Sequence, residues 1–157
     1  GAPIRIVDTV VEVNTGRKKA MAAKIINSLG GNVKGKRIAI LGLAFKANTD
    51  DMRDAPALDI IPILQEAGAD LLAFDPEAME EASHLLPGLA FADSRDAAMK
   101  NAEATVVLTE WDVFKQMQPG EFVSAMSGNT LIDLRNLYEP ASMTGAGLNY
   151  VSIGRPS

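Results

Sequence analysis

The sequence contains no cysteine. That absence excludes a disulfide framework, a thiolate metal site and a cysteine nucleophile within these residues. There is one histidine, His84, and aromatic residues make up only 5% of the chain, so the apolar mass is Ala, Val, Ile, Leu and Met. No run of about 18 apolar residues occurs, and no membrane span is expected. Positive charge is scarce as well: 15 Lys and Arg stand against 20 Asp and Glu, a net charge of -5. Nucleic-acid binding needs a basic face, which this balance does not supply. A small phosphate-bearing ligand asks for only one or two local cations, so that class stays open. The opening Gly1-Ala2-Pro3-Ile4-Arg5 lacks the charged-then-apolar layout of a secretion signal, and a cytoplasmic protein is expected.

What is present is globular in character. The 157 residues are 47% hydrophobic and 22% charged, which suits one ordinary domain with a sizeable core. In the first 31 residues, Val7, Val10, Val11, Asn14, Lys18, Met21, Ala22, Ile25 and Leu29 fall at helical spacing, and Gly30-Gly31 ends the pattern. A second apolar line, Ile6, Val10, Val13 and Ala20, lies on another side, so the helix is expected to be covered from two directions. The β-branched stretch 4–13 also has strand propensity. The helical period, running on through Ile25, favours helix, with Gly16 as a weak point. Residues 1–31 are therefore expected as a dimerisation helix set apart from an α/β domain over 32–157.

From Lys36 the rhythm alternates. Short, nearly continuous apolar runs predict buried strands over 37–43, 70–74, 89–92, 104–108 and 130–133, with an edge strand at 150–153. Between them, helices are expected over 54–67, 77–86, 94–100 and 119–126, with Asp54 and Ser94 as N-caps. Such alternation implies a Rossmann-like, doubly wound, mainly parallel sheet with helices on both faces. Ligands in such folds sit at the carboxyl ends of the strands. Three loops follow from that rule: those after Leu43, Leu108 and Asp133.

The loop after the first strand reads Gly42-Leu43-Ala44-Phe45-Lys46-Ala47-Asn48-Thr49-Asp50-Asp51-Met52-Arg53-Asp54. A dinucleotide site would show G-x-G-x-x-G opening into a helix, with an acid about 20 residues on. Here there is one glycine, then a long polar loop, and Asp75 lies beyond that spacing. Lys46 and the planar fork of Arg53 could form an anion-tolerant corner. Equally, they could neutralise Asp50, Asp51 and Asp54 in a solvated loop, and both readings stay open. The adjacent pair Asp50-Asp51 lacks the further ligands of a metal site. His84 reads as a surface residue, Glu77, Glu80 and Glu81 as a solvated helix face, and Trp111 as packing against the next helix rather than facing a ligand.

The stretch Leu41 to Ile61, L-G-L-A-F-K-A-N-T-D-D-M-R-D-A-P-A-L-D-I-I, resembles the opening of the C-terminal domain of the UDP-glucose/GDP-mannose dehydrogenase family. Phe74-Asp75-Pro76, Leu108-Thr109-Glu110-Trp111, Asp133-Leu134-Arg135-Asn136 and the ending Tyr150 to Arg155 agree in order. Asn14 with Arg17-Lys18-Lys19 resembles the central helix that precedes that domain. The T-D-D-M-R-D-A-P form is most similar to bacterial members acting on UDP-glucose. The resemblance implies that Phe45 and Lys46 contact the UDP-sugar, that Arg135 contacts its UDP part, and that Arg53 reaches NAD. It implies oxidation of UDP-glucose to UDP-glucuronate by two hydride transfers to NAD, through a covalent intermediate on a cysteine that belongs, with the NAD loop, to an N-terminal domain. This chain alone should then be inactive, and it should form a homodimer through its first helix. GDP-mannose or UDP-N-acetylmannosamine as substrate, or a freestanding nucleotide-binding regulatory module, are the alternatives.

Overall fold

The computed structural model describes residues 16–153. Residues 1–15 and 154–157 lie outside it, and with them the expectations for Ile6, Val7, Val10, Val11, Val13, Asn14, Gly154 and Arg155. A helix α1 over 16–28 leads into six strands and six further short helices: β1 (Arg37–Leu41), α2 (Ala57–Glu66), β2 (Asp70–Phe74), α3 (Met79–Leu85), β3 (Ala90–Phe91), α4 (Arg95–Met99), β4 (Ala104–Val107), α5 (Asp112–Lys115), α6 (Pro119–Ala125), β5 (Thr130–Asp133), α7 (Pro140–Gly145) and β6 (Asn149–Ser152). The strands form one sheet in the order β3-β2-β1-β4-β5-β6, and every pairing is parallel. The doubly wound reading is borne out.

Strand alternation assigns the two faces. Along β1, Ile38 and Ile40 join one core with Ala22 and Ile25 of α1, Ile60, Ile61 and Leu64 of α2, and Ala82 of α3. Ala39 and Leu41 join the other, with Met99 of α4, Phe114 of α5, Phe122 of α6 and Met143 of α7. Both cores are apolar and buried, as expected where helices cover a parallel sheet on each side. Among the described residues no buried side-chain nitrogen or oxygen lacks a hydrogen-bond partner. No described helix is long and apolar enough to cross a membrane.

The first helix docks firmly on this domain. Ala22 and Ile25 are fully buried, Lys18 pairs with Asp59 of α2 at 3.1 Å, and the Lys24 ammonium donates to the Ser152 carbonyl on β6. Ala20, from the second apolar line, is exposed. Gly30 and Gly31 take φ of 89° and 87°, a left-handed ending open chiefly to glycine, so they terminate the helix as expected.

Four details depart from the sequence reading. Strand β1 ends at Leu41 rather than residue 43, because Gly42 turns with φ 98°. Asp54 does not cap α2: it sits at φ 59°, and the helix begins at Ala57 after Pro56, with no side-chain cap. Proline disfavours helical geometry in the residue before it, so the helix cannot reach back to Asp54. The helices α5 and α7 were not anticipated. By contrast, Ser94 caps α4 as expected, its hydroxyl accepting from the Ala97 amide at 3.0 Å.

Candidate functional site

The strand order reverses between β1 and β4, and the carboxyl ends Leu41, Val107 and Asp133 lie in register side by side. That is where an open α/β sheet leaves a crevice for a ligand. Three loops meet there. Thr109, after β4, donates to the Ala44 carbonyl at 2.8 Å, tying it to the loop after β1. Glu110 pairs with Arg135, tying the same segment to the loop after β5.

Asp75, at the end of β2, organises the first loop. It is fully buried. Its Oδ2 accepts from the Leu43 amide at 2.7 Å, the Ala44 amide at 3.0 Å and the Trp111 indole at 3.2 Å. Its Oδ1 accepts from the amides of Glu77 and Ala78, both at 2.8 Å, at the approach to α3. A carboxylate so saturated has no capacity left for a ligand. Gly42 completes the turn, since a Cβ there would stand 2.5 Å from Thr109 Oγ1 and 2.7 Å from the Thr109 amide nitrogen. The remainder of the loop closes through the Phe45 amide, which donates to the Asp51 carbonyl at 2.8 Å.

The candidate ligand residues divide unequally over this frame. Phe45 is 44% exposed, Lys46 beside it is exposed, and Lys46 makes no ion pair among the described residues. Arg53 has a side chain 89% exposed, clasped by Asp51 through Nε at 3.0 Å and a terminal nitrogen at 2.9 Å. That clasp lowers the Asp51 carboxyl to about 2 and raises the Arg53 guanidinium further. For Arg53 the neutralising reading is therefore met in this structure. Arg135 is held twice: its amide donates to Asp133 Oδ1 at 3.1 Å and its guanidinium pairs with Glu110.

Asp133 mirrors Asp75. It too is fully buried, and its Oδ2 accepts from the Leu137 amide at 2.6 Å, the Tyr138 amide at 3.2 Å and the Tyr150 hydroxyl at 2.7 Å. Burial, reinforced by the Asp133 charge, pushes the Tyr138 phenol well above its ordinary range.

Lys46 and Arg135 thus stand on loops after β1 and β5, with β4 between them. Two open clefts flank the first loop. One of about 650 Å³ is lined by Asp50, Asp51, Arg53, Leu58, Glu81 and Leu85 among others, and one of about 570 Å³ by Asn48, Thr49, Asp50, Glu77 and Trp111. Neither is lined by Phe45, Lys46 or Arg135. Trp111 is 7% exposed and packs in the second core, as the sequence reading had it, while its edge borders the smaller cleft. His84 and the acids of α3 are exposed. The sequence reading missed Asp75, Thr109 and Glu110 as parts of the site's frame. Their signal was present, because an acid closing an apolar strand must find donors once buried.

The profile of the UDP-glucose/GDP-mannose dehydrogenase family, UDP binding domain, matches residues 39–140. The chain belongs to this family. The matched part is the family's C-terminal, UDP-binding domain. The chain is 46% identical over 154 residues to the UDP-glucose 6-dehydrogenase of Rhizobium meliloti, covering 98% of this chain and 35% of that protein. Against the UDP-glucose 6-dehydrogenase TuaD of Bacillus subtilis it is 40% identical over 158 residues, covering 100% of this chain and 34% of that protein. It spans about a third of the length of these relatives. Among solved structures, a UDP-glucose dehydrogenase from Pyrobaculum islandicum superposes with a TM-score of 0.72 at 25% identity, over 94% of this chain and 32% of that one. A UDP-D-ManNAc dehydrogenase from Pyrococcus horikoshii shares the fold, with a TM-score of 0.72 at 24% identity, over 97% of this chain and 33% of that one.

Proposed function

We propose that this chain is the substrate-nucleotide-binding part of an NAD-dependent enzyme oxidising UDP-glucose to UDP-glucuronate in the cytoplasm. The observation that carries the reading is the presence of Lys46 and Arg135 on strand-end loops of a domain belonging to this family. Phe45 packs against the bound UDP-sugar, Lys46 and Arg135 meet its UDP part, and Arg53 approaches the cofactor from the rim. Uridine diphosphate is an anion, and charged hydrogen bonds from a point ammonium and a planar fork are suited to it. The identity with relatives named as UDP-glucose 6-dehydrogenases favours UDP-glucose over GDP-mannose or UDP-N-acetylmannosamine.

NAD supplies the hydride acceptor in such chemistry. This chain's own crevice does not fit it: the loop after β1 lacks the glycine-rich cradle, and the Leu43 and Ala44 amides are taken by Asp75. The cofactor therefore belongs mainly to a partner N-terminal domain, with Arg53 as the contribution from this side. The covalent thioester route from aldehyde to acid likewise needs a cysteine, which this chain does not hold. The 157-residue chain should bind UDP yet show no NAD reduction with UDP-glucose. Titration calorimetry tests the site: Lys46→Ala and Arg135→Ala should each weaken UDP binding by about 1–3 kcal/mol, the range for charged hydrogen bonds. Unchanged affinity in both variants would refute the assignment.

Pairing of two copies through residues 1–31, expected to form an apolar helix, completes the reading. It is supported by the two apolar lines of the sequence, since one domain can cover only one of them. A clean monomer at tens of micromolar in sedimentation, unaffected by Val10→Asp, would argue against it.

A further inference from the structure

The Phe45-Lys46 pair is exposed, yet the residue just before it is among the most constrained in the loop. Ala44 is 1% exposed. Its amide donates to Asp75 and its carbonyl accepts from Thr109, so the peptide units on both sides of its Cα are held. Leu43 is pinned by the same Asp75 oxygen. Trp111 delivers a further donor to that oxygen from the segment after β4. One carboxylate therefore links the end of β2, the start of α3, the segment after β4 and the run that presents Lys46. None of these bonds reaches the ligand face. Holding a cation's backbone in advance reduces the ordering cost of binding.

We propose that Asp75, with Thr109, is a positioning residue for UDP binding, acting through the direction in which the Ala44 backbone aims Lys46. The inference rests on the reading that Lys46 contacts UDP. It assigns Asp75 a role different from the acid at the end of β2 in a dinucleotide fold, which reaches out to a ribose. Here the acid is turned inward and consumed by the fold's own N–H groups.

Both positions admit near-isosteric tests. Asp75→Asn keeps the shape but sets an amide NH2 against N–H donors whichever way it is turned, since both oxygens accept. Thr109→Val removes only the hydroxyl donor to Ala44. UDP affinity of the 157-residue chain would be measured by calorimetry for each variant, alone and combined with Lys46→Ala, with circular dichroism confirming the fold. Each is expected to weaken UDP binding roughly tenfold, the scale of one or two lost hydrogen bonds. In the Lys46→Ala background each should weaken it less than twofold further, because the group they aim is gone. A purely structural role would not produce that dependence on Lys46. Equal weakening with and without Lys46, no weakening, or loss of the fold in both variants would overturn the inference. If the unsubstituted chain fails to bind UDP, or Lys46→Ala leaves its affinity unchanged, the site reading itself fails and the inference falls with it.

Discussion

Asp75 and Asp133 are two buried carboxylates at the ends of two parallel strands, and they hold two very different loops. Asp75 gathers donors from residues far apart in sequence, Leu43, Ala44 and Trp111 as well as Glu77 and Ala78. Asp133 gathers mainly its own successors, Arg135, Leu137 and Tyr138, with Tyr150 added from β6. The first arrangement secures a long loop at its base and leaves the cation Lys46 free at the surface. The second builds a tight local turn and delivers Arg135 already paired with Glu110. The comparison teaches that the same buried acid can anchor a loop presenting an unpaired cation or a turn presenting a paired one, depending on whether its donors are distant or adjacent.

The largest effect should come from breaking the local turn. Asp133→Asn leaves three amides and a tyrosyl hydroxyl facing an altered partner, and urea unfolding should show a loss of about 3 kcal/mol or more. A loss under about 1 kcal/mol would mean that the turn persists without its carboxylate. Next comes the base of the long loop. Gly42→Ala sets a Cβ against the Thr109 backbone at a left-handed φ of 98° and should cost about 2 kcal/mol in the same assay. Adding Thr109→Ala should not restore it, because the Thr109 amide nitrogen remains 2.7 Å away.

Smaller effects sharpen the contrast between the cations. Glu110→Gln should change stability by less than about 1 kcal/mol, because the pair is partly exposed and solvent screens it. Smallest is the Asp51–Arg53 clasp. Its carboxyl is lowered to about 2, chiefly by the hydrogen bonds from the Arg53 guanidinium. A depressed folded-state value means that the contribution is present above the ordinary value of about 3.9 and lost as pH falls toward 2. Carboxyl titration by NMR should place Asp51 near 2, moving to about 3.9 in Arg53→Ala, with little change in melting temperature.

Much of this was legible in the residues. The apolar runs at Ile38 to Leu41, Ala104 to Val107 and Thr130 to Asp133 are long enough to mark buried strands, and their alternation with helices implied the sheet. Lys46, Arg53 and Arg135 are singled out by motif and strand-end position. The helices over Asp112–Lys115 and Pro140–Gly145 are not, since one or two turns carry too little periodicity. The inward role of Asp75 was missed, and Asp54 misread, for a different reason. Phe74-Asp75-Pro76 looks like a strand stop, and only the fold shows that the Asp side chain turns inward toward amides far away in the chain. Asp54 looked like a cap because Asp commonly is one, yet Asp also tolerates the left-handed conformation it adopts.

The strand order also carries a consequence for how the chain assembles. Strand β1 is central, but its partner β4 arrives only after β2, α3, β3 and α4 have been made, with Ile38 meeting Ala104 across that interval. During synthesis β1 and β2 can pair first, leaving the other edge of β1 bare until β4 emerges. Non-local parallel pairing of this kind is slow, and an unpaired apolar edge invites association with other chains. The meeting of the β1 and β4 carboxyl ends is therefore a late product of folding, and chains cut off before β4 should be the ones that aggregate.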